Sequence, residues 1–120
     1  MRLLSAVVTL ALLSTQAQAA GGSVSGTDGS NALGTLPCAA IAGQPIQNCH
    51  AELIRRDAQN VTINVLLPTG ETRNIYFTDG EPTASNSTAK ITSEVQGDVM
   101  RVFIEPGEVF QISTRAVANQ

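Results

Sequence analysis

The chain has 120 residues, with seven basic and ten acidic side chains and a net charge of −3. Arg55-Arg56 is the only adjacent basic pair. The clustered Lys/Arg that neutralise phosphates are therefore missing, which argues against nucleic acid and against an anionic membrane surface. Aromatic residues make up 3% and there is no Trp, so sugar-binding and base-stacking platforms lose weight as well.

The first stretch reads as an export signal. Met1-Arg2 gives a positive start, Leu3 to Leu13 is apolar, and Ala17-Gln18-Ala19 is a small-x-small cleavage site. Residues 1–19 are expected to be a signal peptide, with Ala20 the first mature residue. The apolar run is too short for a membrane span, which takes about 20 apolar residues. No second long apolar run follows, so no membrane insertion is expected after processing. Losing Arg2 takes the basic count from seven to six against ten acids, a net charge of −4. The expected location is the periplasm or the medium.

Residues 20–36 hold Gly21, Gly22, Gly26, Gly29 and Gly34 with Ser23, Ser25 and Ser30 between them. Such a composition buries little apolar surface against its ordering entropy, and it predicts a flexible arm. Asp28 is the only charge there, which is too few for a calcium loop.

Cys38 and Cys49 are the only cysteines. In an oxidising compartment an even count favours a disulfide. A thioredoxin-like redox pair would need Cys-x-x-Cys, and ten residues intervene here. A zinc site would need about four ligands; Cys38, Cys49, His50 and Asp57 supply the residue types without a zinc spacing. No metal and no cofactor is expected. Gly43-Gln44-Pro45 marks a turn inside the loop.

From residue 50 the apolar period is two, as in strands. Val61, Ile63 and Val65 alternate with Thr62 and Asn64. Ile75 and Phe77 alternate with Asn74 and Tyr76. Ile91 and Val95 face away from Lys90, Thr92 and Glu94. Met100, Val102 and Ile104 alternate with Arg101 and Phe103, and Phe110 and Ile112 flank Gln111. Ala51–Arg56 fits a short strand before a turn. Four turn signals punctuate the runs, at 68–71, 78–81, 95–98 and 105–108, each with an acid after its glycine. Those acids, Glu108 among them, are expected to be solvated. The whole predicts an all-β domain over residues 37–115: one small antiparallel meander sheet, sandwich or open barrel, stapled by an N-terminal disulfide. Residues 116–120 are expected to be a tail.

Chemistry-bearing motifs are missing. His50 is the only histidine, and no nucleophile elbow, phosphate loop, His-Glu-x-x-His or dinucleotide fingerprint occurs. Enzymatic activity is not expected. Arg73, in phase with Ile75 and Phe77, together with Tyr76 and Arg101, is the candidate partner-binding set, because Arg and aromatic residues are enriched in binding hot spots. Asn60-Val61-Thr62 and Asn86-Ser87-Thr88 fit the glycosylation pattern and carry no weight by themselves.

Pro37-Cys38-Ala39, Gly43-Gln44-Pro45, Cys49, Pro68-Thr69-Gly70 with Arg73, Ile75-Tyr76-Phe77, and Asp79-Gly80 with Pro82 occur in that order. In this the chain resembles a family of small exported proteins of Gram-negative bacteria with no assigned activity, over residues 36–112. The C-terminal end departs from it, with Ser113-Thr114-Arg115 where members more often have Ile-Pro-Asp. The resemblance implies a periplasmic β-domain and supplies no activity. The export signal, the stapled meander and the missing catalytic set lead to the expectation of a non-catalytic domain whose partner is another periplasmic protein or an envelope component. In architecture the chain also resembles periplasmic inhibitors of c-type lysozyme. Their Ser-Gly-x-x-Tyr element is absent, since Thr72-Arg73-Asn74-Ile75 precedes Tyr76, the only tyrosine. An acidic protein facing a basic hydrolase makes electrostatic sense.

Overall fold

The computed structural model describes residues 24–26 and 31–120; the expected signal peptide, its cleavage site and the rest of the Gly/Ser-rich lead lie outside them. The chain is all-β. Its strands are β1 (Val24–Gly26), β2 (Asn31–Ala39), β3 (Gln47–Arg55), β4 (Asn60–Leu66), β5 (Thr72–Thr78), β6 (Glu81–Ser85), β7 (Ile91–Gln96), β8 (Val99–Ile104) and β9 (Glu108–Ser113), with a one-turn helix α1 (Thr114–Val117) at the end.

All pairings are antiparallel, in the order β6-β5-β4-β3-β2-β9-β8-β7, with β1 added beside β2. Two meanders, β2 to β6 and β7 to β9, are joined where β9 returns to β2 through Cys38↔Phe110 and Ala39↔Val109. The sheet thus curls into a nearly closed barrel, with β6 and β7 as its two edges. Of the expected architectures, the open barrel is the one formed.

The alternation fixes the inside. Leu36, Cys38, Cys49, Leu53, Val61, Ile63, Val65, Ile75, Phe77, Val102, Ile104, Phe110 and Ile112 are buried together. Aliphatic side chains and two phenylalanines fill a small barrel without leaving a channel. Each expected turn is present. Asp79 and Gly80 both have positive φ (53° and 79°), the twist a two-residue hairpin needs. Gly107 is required for a different reason: a Cβ there would come within 2.2 Å of the Ala42 backbone nitrogen.

Three expectations are corrected. The flexible arm does not extend to residue 36, because β2 starts at Asn31 and Leu36 is fully buried. The glycine content hid a strand whose apolar residues sit at 32, 36 and 38. The segment 116–120 is not a loose tail. Val117 is buried in the core. Arg55 Nη2 donates to the Ala116 and Ala118 carbonyls, Asn119 Nδ2 to Asp79 Oδ1, and the Gln120 amide to the Ala58 carbonyl. Val117, with half-buried Ala116 beside it, and scattered hydrogen bonds hold this end, and neither leaves a periodic signal. Glu108 is not a solvated turn acid: it opens β9 and is buried.

Candidate functional site

Cys38 and Cys49 form a disulfide. Cys38 stands opposite Gln47 and Cys49 opposite Leu36, so the bridge crosses the β2–β3 hairpin diagonally on the inner face. It joins two strands that are already paired in the sheet. The four potential zinc ligands are dispersed: both sulfurs are in the bridge, His50 is on the outer face, and Asp57 is in the β3–β4 turn. No cluster of three or more His, Cys, Asp or Glu suited to a metal occurs among the described residues.

The three candidate binding residues do not converge. Arg73 keeps the phase of Ile75 and Phe77 and so points inward. Its Nε and Nη2 donate to Glu108 Oε1 and Oε2 at 2.7 and 2.6 Å, and Nη1 donates to Asn86 Oδ1 at 3.0 Å. The two charged side chains are 12% and 11% exposed. The hydrogen bonds to Glu108 raise the Arg73 pKa above the ordinary guanidinium value, against the opposing effect of burial. Arg73 is therefore a structural cation and not a partner-facing one, which corrects that reading. Tyr76 is outward on β5 between Thr62 and Ala84, and 39% exposed. Arg101 is outward on β8, with Glu94 3.8 Å away.

The outer face of β2 to β5 carries a different set. The ladder aligns Leu33, Glu52, Asn64 and Asn74 in one row across four strands. Asn74 Nδ2 donates to Asn64 Oδ1, and Asn64 Nδ2 to Glu52 Oε1 at 3.5 Å. Beside this row lie Thr35 and His50 in register, with Leu66 opposite Thr72. Between the two rows runs a shallow groove of about 360 Å³, lined by Leu33, His50, Glu52, Asn64, Leu66 and Thr72. Leu33 is 71% and Leu66 45% exposed. Two leucines thus flank one oriented amide, that of Asn64, with a carboxylate and an imidazole. The amides are held by one another, so their remaining donors and acceptors are preset toward solvent.

Tyr76 extends the same outer face along β5, so one of the three expected residues adjoins this site. The others were missed. Leu33 sits in a segment whose glycines dominate its composition. Leu66 occupies an outward position of an apolar strand, and that misfit was the available signal.

Comparison with known proteins gives no match to any family model, curated protein or solved structure. No helix among the described residues is long and apolar enough to cross a membrane.

Proposed function

We propose that the chain is an exported, non-catalytic β-barrel domain that binds another periplasmic or envelope protein through the outer face of β2 to β5. The observation that carries this reading is the groove itself: exposed Leu33 and Leu66 beside the hydrogen-bonded row Glu52–Asn64–Asn74. Binding sites combine an apolar anchor with a few preset polar groups. The bridged cysteines suit an oxidising compartment, in keeping with the export signal. Capture with tagged protein from the native envelope tests it. Leu66→Arg is expected to lose the partner while keeping the wild-type circular dichroism and melting transition. Equal capture by both proteins would remove the reading.

A second reading is inhibition of a cell-wall hydrolase of the c-type lysozyme kind. The acidic balance, −3 for the whole chain, favours it against a basic enzyme. Unchanged lysozyme activity at excess protein would rule it out.

A further inference from the structure

Glu52 is the carboxylate of the outer groove, half-buried, with Leu33 and Asn64 as its register neighbours. The row of amides runs toward it: Asn74 donates to Asn64, and Asn64 donates to Glu52 Oε1 at 3.5 Å. Nothing positive stands at the end of that row. Neither His50 nor any basic side chain among the described residues pairs with Glu52. Arg55 is bound to carbonyls of the C-terminal end, Arg73 to Glu108, and Arg101 faces Glu94. Arg56 donates to Thr62 and lies four residues further on, about 13 Å away along an extended chain. Lys90 and Arg115 belong to the β6–β7 connection and to α1, away from the face of β2 to β5.

This lone carboxylate restricts what can dock there. Leu33 and Leu66, the exposed apolar anchors, lie on the two sides of Glu52 and its neighbours. A partner that covers both leucines also strips water from Glu52. An apolar or acidic surface would leave that charge buried and unpaired, which is costly. A basic side chain supplies the missing counter-ion at the same moment.

We infer that the groove takes an arginine side chain of a basic partner protein, which rests on the binding face proposed above and adds the chemistry of the partner. The arginine methylenes lie between Leu33 and Leu66, and the guanidinium sits on the Glu52 carboxylate. Asn64 Oδ1 keeps a second lone pair, and the Thr72 hydroxyl lines the same groove. A planar fork of five donors can meet several acceptors at once, whereas a lysine ammonium is a compact point charge. Ten acids against seven bases in the whole chain favour the approach of such a partner.

Nuclear magnetic resonance on the labelled protein tests it, with the peptide acetyl-Gly-Arg-Gly-amide and its citrulline counterpart as probes. The arginine peptide is expected to shift the Asn64 side-chain amide and the Leu33 and Leu66 methyl resonances. The citrulline peptide, alike in shape and uncharged, is expected to shift them roughly fivefold less. Glu52→Gln keeps an acceptor for Asn64, so it is expected to fold with the wild-type melting transition and to lose the response. Partner capture then separates this site from the face it rests on. Loss of the partner in Leu66→Arg together with wild-type capture by Glu52→Gln would overturn the arginine assignment and leave the binding face standing. Equal shifts from both peptides, or a full response in Glu52→Gln, would overturn it as well. So would no shift at about 20 mM arginine peptide, where a Kd of about 10 mM would register.

Discussion

Arg73 on β5 grips Glu108 on β9 with two hydrogen bonds, 2.7 and 2.6 Å long, although β4, β3 and β2 separate the two strands in the sheet. Both side chains point inward, so the pair ties opposite walls of the barrel. Asn86 extends the tie: its Oδ1 also accepts the Asn74 amide, and its Nδ2 donates to the Thr72 carbonyl.

Removing one partner leaves the other buried and unpaired. Arg73→Ala is expected to lower stability by about 3 kcal/mol, measured by urea denaturation. Arg73→Met with Glu108→Leu is expected to recover most of that loss. By contrast, Arg101→Ala breaks an exposed pair 3.8 Å apart and should cost under about 1 kcal/mol. Equal costs for Arg73→Ala and Arg101→Ala would contradict the assignment of Arg73 to the framework.

The Cys38–Cys49 bridge spans a sequence separation of 11. A loop of this length constrains the unfolded chain by about 3 kcal/mol. The double variant Cys38→Ala, Cys49→Ala is expected to lose about that much and to keep the strand content, because the hairpin ladder remains. Loss of the β signal in circular dichroism would show that the bridge does more than constrain the unfolded chain.

The C-terminal end packs against the β3–β4 and β5–β6 turns, through Gln120 to Ala58 and Asn119 to Asp79. Val117 is 1% exposed, and Val117→Ala is expected to cost about 2 kcal/mol through the cavity it opens. Deleting residues 116–120 should cost more, since the acceptors of Arg55 go with them. A deletion without effect on the melting transition would restore this segment to the status of a tail.

Asp57 organises the β3–β4 turn. Its Oδ1 accepts the Gln59 and Asn60 amides at 2.8 and 2.9 Å, and both carboxylate oxygens accept from Asn60 Nδ2 at 3.0 Å. The Asn60 side chain first, then the Gln59 amide, hold its pKa below the usual 3.8. A lowered carboxylate pKa adds stability that is present above 3.8 and is lost as pH falls through the lower folded value. The Gln59 amide resonance is expected to titrate with a midpoint below 3.8. A midpoint at or above it would contradict this geometry.

The period-two pattern from Val61 to Ile112 carried the strands and turns, because each strand has one wet and one dry face and its register follows from that. Closure did not show. The pairing of β9 with β2 is a contact between distant parts of the chain, and no local pattern encodes it. β2 was masked because Gly34 and Pro37 interrupt its apolar spacing. The Arg73 fate was half legible: its inward phase was visible, but its counter-ion stood in a turn motif that elsewhere is solvated. Asn60 and Asn86, marked only by glycosylation triplets, have their amides engaged by Asp57 and Thr78, and by Arg73 and Thr72. The outer groove depends on which outward residues align across four strands, and that needs the register.

Site-specific photo-crosslinking in the native envelope tests the central claim most directly. A crosslinker at Leu66 or Thr72 is expected to trap one and the same partner, and one at Arg101, on β8, is expected not to trap it. Trapping from Arg101 with none from Leu66 or Thr72 would contradict the placement of the binding face on β2 to β5.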